Sequence, residues 1–305
     1  MAIRRGELGP LLALIVMTAA WGSTFFMIKD VVTRMPVPDL LSVRFAIAAV
    51  ALAIVAGPRL RMSVITLRRG LLLGLLYGIG QLLQTVGLAH TAASVSGFLT
   101  GLYVVMTPLL SAVILRTSIP KPVWAAAVLA TVGLGVLSLQ GFSIGYGELL
   151  TVASAVVYAV HIVALGRMSA PGAALQLSVV QMAVIAILCG VVAAPDGIQL
   201  PSSGLDWAIV IYLGVIAGAL TMLLQTWAQA RVEASRAAVI MALEPVWAAA
   251  FAVALGGEAL TWRMLLGGGA ILTAMYLVEL APQRTVSAGP DPGDGVDRDP
   301  GHHGG

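Results

Sequence analysis

Charge is scarce in this chain. Of its 305 residues only 10% are Asp, Glu, Lys or Arg, against roughly 25% in a soluble domain. Hydrophobic residues make up 59% and the mean hydropathy is +0.97. A soluble fold has no place for so much apolar surface, whereas lipid solvates it directly. Cysteine is almost missing: Cys189 is the single one, so neither an intrachain disulfide nor a cysteine metal site can be built. The chain also lacks a Walker A loop, paired aspartates and a His-Glu-x-x-His motif. Direct ATP drive and the commoner intramembrane protease chemistries are therefore disfavoured, and no cofactor is expected. The net charge of +3 is scattered over helix ends, which argues against a nucleic-acid partner.

What the chain has instead is apolar runs of about 20 residues, long enough to span a bilayer. Ten are read, at about 9–29, 38–56, 68–89, 94–115, 122–140, 147–167, 173–193, 205–229, 236–256 and 260–280. They lack the period-two alternation of a membrane β-barrel, so helices are the expected form. Arg4-Arg5 ahead of an apolar run resembles a secretory leader. The run from Pro10 to Ile28 exceeds the typical leader core of about 7–15 residues, so it is read as an uncleaved first helix. Residues 282–305 are rich in Gly, Pro and Asp and are expected to form a disordered cytoplasmic tail.

Basic residues orient the helices. With a cytoplasmic N-terminus, Arg4, Arg5, Arg59, Arg61, Arg68, Arg69, Arg116, Lys121, Arg167, Arg231, Arg236, Arg284 and Arg298 fall inside. Only Lys29, Arg34 and Arg263 fall outside, with Arg44 inside helix 2. This bias supports ten spans with both termini cytoplasmic, as in a bacterial-type inner membrane.

The chain also repeats itself. Leu82-Leu83-Gln84-Thr85 recurs as Leu223-Leu224-Gln225-Thr226, and the echo runs on through Ala89/Ala230, Ala93-Ser94/Ala234-Ser235, Leu102/Leu243 and Val105/Val246. Two halves are expected, 1–140 with helices 1–5 and 141–281 with helices 6–10. Five is odd, so the second half enters from the opposite face. The fold class is an all-α integral membrane protein of two inverted five-helix repeats, a design suited to alternating access.

Trp21-Gly22-Ser23-Thr24-Phe25 with Lys29, Arg44-Phe45, Ala92-Ala93-Ser94, Phe98 to Leu102, Leu243-Glu244-Pro245-Val246 and Gly256-Gly257-Glu258-Ala259-Leu260 together resemble the drug/metabolite transporter superfamily, specifically its ten-helix EamA-type exporters. The likeness covers about residues 10–280. One departure is Arg116-Thr117-Ser118, where many members carry a Gly-Glu-Arg-like turn. The resemblance implies a secondary exporter of small metabolites or amino acids. It also implies a cavity among helices 1, 3, 4, 6, 8 and 9, with helices 5 and 10 at the periphery.

Helical spacing points the same way. Residues three and four apart share a face, which aligns Tyr77, Gln81 and Gln84; Thr100, Tyr103 and Thr107; Ser154, Tyr158 and His161; and Thr221, Gln225 and Gln229. Such faces are poor lipid surfaces; they either hydrogen-bond between helices or line a cavity. Trp21 is a cavity aromatic or a packing residue. Glu244 stands out, because an acid within a span costs roughly 2.5–3.5 kcal/mol to insert. It is the candidate for proton coupling, with a neutral structural Glu as the alternative. Pro108 and Pro245 are read as gating kinks, Arg44 as snorkelling to the outer interface, and Lys29 and Asp30 as interfacial anchors. Gly133, Gly135 and Gly267-Gly268-Gly269 are read as close helix contacts. The partners expected are a small-molecule substrate, the lipid bilayer and protons, in a monomer or homodimer. Two other classes compete: an intramembrane Ser/His hydrolase using Ser96 and His161, and a membrane sensor or scaffold.

Overall fold

In lipid, backbone polar groups have only one another to pair with, and a helix satisfies them within one segment. The structure, a computed structural model, describes residues 8–115, 121–140, 143–168, 173–224 and 240–279. These are helical nearly throughout. The first half holds α1 (Leu8–Val31), α2 (Val37–Ala56), α3 (Val64–Ala89), α4 (Ala93–Gly101), α5 (Tyr103–Leu115) and α6 (Lys121–Ser138). The strands β1 (Leu139–Gln140) and β2 (Ser143–Ile144) pair antiparallel at the junction. The second half holds α7 (Tyr146–Met168), α8 (Ala174–Ala193), α9 (Gly204–Ile211), α10 (Glu244–Ala254) and α11 (Gly269–Glu279). α9 runs on as a π-helix over Tyr212–Leu220, and a π-helical turn over Met264–Gly268 leads into α11. Seven helices have the length and hydropathy to cross a membrane, and three shorter apolar ones, Lys121–Leu137, Glu244–Ala254 and Met264–Val278, bring the described total to ten.

The fourth span tightens partway along. α4 ends at Gly101 and α5 starts at Tyr103, with a turn at Leu102 closed by the tighter bonds Leu102 N to Leu99 O (3.2 Å) and Val105 N to Leu102 O (3.0 Å), while Leu102 keeps helical dihedrals and Met106 N still bonds Leu102 O at 2.9 Å. Pro108, read as a kink, sits inside α5. The second half does the same at the matching position. Leu243 N bonds Ile240 O at 3.0 Å, and α10 opens at Glu244. Glu244 is the first residue of α10, just past this tightened turn; residues 236–239 of the expected ninth span lie outside the described residues. Pro245 falls in that first turn, where its missing N–H leaves no bond unmade. Leu102 and Leu243 are partners in the sequence repeat, so both repeats tighten at one point.

Helices pair across the two halves. α2 lies against α8, α3 against α7 and α8, α1 against α10, and α4 against both α7 and α10. α6 packs on α11 and its leading turn, away from the rest. There Gly133 and Gly267 bring backbones together: a Cβ on Gly133 would meet Gly267 O at 2.7 Å, and one on Gly267 would meet Gly133 O at 2.8 Å. The apolar core is correspondingly divided. One cluster joins α4, α5, α6 and α11 around Phe98, Leu99 and Met275. A second joins α1, α2 and α10 around Phe25, Leu40 and Ala248, and a third joins α2 and α8 around Phe45, Met182 and Ile185.

Polar bonds gather at the end of the bundle where α1 finishes. Lys29 Nζ donates to the carbonyls of Leu88 (3.0 Å), Ala89 (3.1 Å) and Thr91 (2.7 Å), where α3 ends. All three ammonium donors are used, and a cation sits where the helix dipole is negative. Glu258 does the reverse. Its carboxylate accepts from Ala93 N at 2.5 Å, and from the backbone N–H and hydroxyl of Ser94, capping α4. Lys29 and Glu258 also attract each other. Nearby, Arg34 pairs with Asp30 and with Asp206 of α9, each at 2.7 Å. Lys29 thus does more than anchor an interface, tying α1 to the end of α3, while Asp30 holds the arginine that reaches α9.

Candidate functional site

Between these clusters the helices leave a cavity of about 400 Å³, within the range of small-molecule sites. Both halves wall it. Trp21, Tyr77, Gln81, Gln84 and Tyr103 come from the first, and Tyr158, His161 and Glu244 from the second. These are eight of the nine candidate lining residues read from the sequence; the ninth, Gln225, lies outside the described residues, as do Gln229, Thr117 and residues 282–305.

The lining is bonded to itself in chains. Tyr158 hydroxyl donates to Gln84 Oε1 at 2.9 Å, and Gln84 Nε2 donates to Thr100 Oγ1 at 3.0 Å, so α7, α3 and α4 are linked side by side. His161 Nε2 meets Gln181 Oε1 at 2.7 Å. The Tyr77 ring stacks on His161 at 5.2 Å between centroids and leans on Tyr158 at 5.8 Å. Trp21 Nε1 donates to Ala217 O (3.1 Å) and Thr221 Oγ1 (3.0 Å), tying α1 to the π-helix after α9. Glycine makes room for the tyrosine: a Cβ on Gly80 would lie 2.5 Å from Tyr158 Cε1.

Not every member of the polar stripes reaches the cavity. Ser154 is fully buried and donates to Thr151 O at 2.6 Å, and Thr107 donates to Tyr103 O at 2.7 Å. Thr221 is used up by Trp21 and by its own helix. For these three the interhelical or intrahelical role holds. Pro108 and Pro245 do not line the cavity either; their neighbours Tyr103 and Glu244 do.

Arg44 corrects the sequence reading outright. It does not snorkel. Its side chain is 8% exposed, lines the cavity, and donates from Nη2 to Gln81 Oε1 at 3.1 Å. α2 is buried between α8 and α9 on this face, so a side chain six residues into the helix has no path to the interface. Gln181 and Ser178 of α8 were missed as well. Their spacing of three, inside an otherwise apolar run, was the available signal.

The hydrolase pairing is not assembled. Ser96 Oγ is buried without a hydrogen-bond partner among the described residues, while His161 is bonded to Gln181. Among those residues there is also no His, Cys, Asp or Glu cluster able to hold a metal.

Comparison with known proteins accords with this geometry. The model of the EamA-like transporter family matches residues 8–139 and again 145–280. An uncharacterized transporter of Archaeoglobus fulgidus is 30% identical over 270 residues, covering 88% of this chain and 85% of the relative. A solved crystal structure of a protein superposes with a TM-score of 0.64 at 18% identity, covering 89% of this chain and 96% of the other, a likeness of fold alone. Two matched repeats, ten apolar helices and a polar cavity shared between the halves place this chain, as a multi-pass membrane protein, in the EamA-like transporter family of the drug/metabolite transporter superfamily.

Proposed function

We propose that this protein is a secondary-active exporter of small metabolites, amino acids among them, that works by alternating access with its N-terminus in the cytoplasm. The observation that carries the reading is the polar cavity lined by both repeats, beside the tightened turns at Leu102 and Leu243. In inverted repeats the substrate site lies near the midplane, at the interface between the halves. The first residues beyond the two turns, Tyr103 and Glu244, both face the cavity. No phosphate loop accompanies them in the sequence, so the energy comes from an ion or substrate gradient.

Glu244 is the proton carrier in this scheme. It is the only carboxylate lining the cavity among the described residues. The other titratable or charged groups facing that space are Tyr77, Tyr103, Tyr158, His161 and Arg44. A carboxyl that alternates between protonated and ionised forms as it faces each side couples substrate to proton. The test is counterflow in proteoliposomes against amino acids, nucleosides and sugars, with and without a pH gradient. Glu244→Gln is expected to abolish the pH dependence of flux, while His161→Gln keeps that dependence. Unchanged pH-dependent flux in Glu244→Gln removes Glu244 from the coupling.

A further inference from the structure

A guanidinium cannot shed its proton at any accessible pH. A buried one needs a counter-charge or a full set of acceptors, since removing an ion from water costs several kcal/mol. Among the described residues Arg44 has neither. Its Nη2 is bonded to the neutral amide of Gln81, and its Nε and Nη1 have no hydrogen-bond partner there. No carboxylate among them is paired with it. The guanidinium carbon also lies 4.4 Å from the face of Phe45. Among the described residues, five donors in a fork are thus set in a cavity wall with a single acceptor between them.

Resting on the transporter reading above, we propose that Arg44 is the anion-binding residue of this cavity and that its ligand is the carboxylate of an amino-acid-like zwitterion. The Nη1–Nη2 edge matches the two oxygens of a carboxylate, the geometry in which arginine binds most strongly. Nη2 carries a second N–H beside the one given to Gln81, and a turn of the guanidinium about its terminal torsions brings this edge round to the ligand. Glu244 is the opposite pole. Tyr77 and Tyr158 line the same cavity as Arg44 and Glu244, and their rings lie together at 5.8 Å between centroids as one aromatic wall. A ligand lying along that wall sets its carboxylate against Arg44, its ammonium against Glu244 and its side chain among Trp21, Phe25 and Ile28. A neutral sugar or nucleoside leaves both charges unanswered.

The experiment uses the whole protein in proteoliposomes. Each of the twenty amino acids is tested for counterflow, and the one giving most exchange becomes the probe. Its amide, its decarboxylated amine and its 2-hydroxy acid are then competed against it. Each is expected to compete at least roughly tenfold more weakly than the parent, the loss of one charged pole. In Arg44→Gln the gap between acid and amide is expected to shrink to about threefold or less, with Arg44→Lys in between. Equal competition by acid and amide in the native protein overturns the assignment whether or not the variants fold. So does an Arg44→Gln protein that still discriminates as the native one does. A 2-hydroxy acid that competes equally overturns the zwitterion. Absence of counterflow by any amino acid, nucleoside or sugar defeats the transport reading itself, whereas counterflow confined to nucleosides or sugars defeats only this inference.

Discussion

Tyr158 is held from two sides, by its hydroxyl on Gln84 and by the missing side chain of Gly80. Tyr158→Phe removes one neutral hydrogen bond and leaves Gln84 Oε1 unpaired, a loss of about 1 kcal/mol. The half-saturating substrate concentration is expected to rise roughly fivefold. Gly80→Ala pushes the whole ring and is expected to cost more; counterflow titrations of both variants check the order. At this scale the polar stripes were legible because glutamine, tyrosine and histidine are costly against lipid, so helical spacing alone pointed Tyr77, Gln81, Gln84, Tyr158 and His161 inward. Arg44 was not legible. A lone arginine near a helix end reads equally as snorkelling or buried, and only the packing of α8 and α9 over α2 decides it.

At the scale of elements, the junctions carry more than the spans. Glu258 caps a helix that its own repeat does not contain, joining the loop after α10 to the start of α4. Glu258→Ala leaves two backbone N–H groups of α4 without that acceptor. A loss of roughly 1–2 kcal/mol is expected, in the range of a removed helix cap, seen as earlier thermal unfolding in detergent. Where both ends are described, the apolar runs were readable to within a few residues, since length and hydropathy alone define a span. The tightened turns at Leu102 and Leu243 were not. Proline is the usual marker of a kink, and it drew attention to Pro108, six residues past the turn at Leu102. In the second half Pro245 stands in the first turn of α10, where its missing N–H leaves no bond unmade.

For the molecule as a whole, the proposed orientation is open to direct test. With the N-terminus in the cytoplasm, Arg61 is expected inside and Ser202 outside. Cys189 is fully buried, so cysteines introduced at Arg61 and Ser202, both exposed, report without background. An impermeant maleimide added to intact cells is expected to label the second and spare the first; the opposite pattern reverses the orientation. The cavity also has an electrical side. In the proposed scheme Arg44 keeps its charge and stays with the protein, a zwitterion brings none of its own, and Glu244 carries the proton. Each turnover of that scheme moves a single elementary charge across the bilayer. A charge crossing 100 mV exchanges about 2.3 kcal/mol with the field, so such an exporter responds to membrane voltage as well as to the proton concentrations on either side.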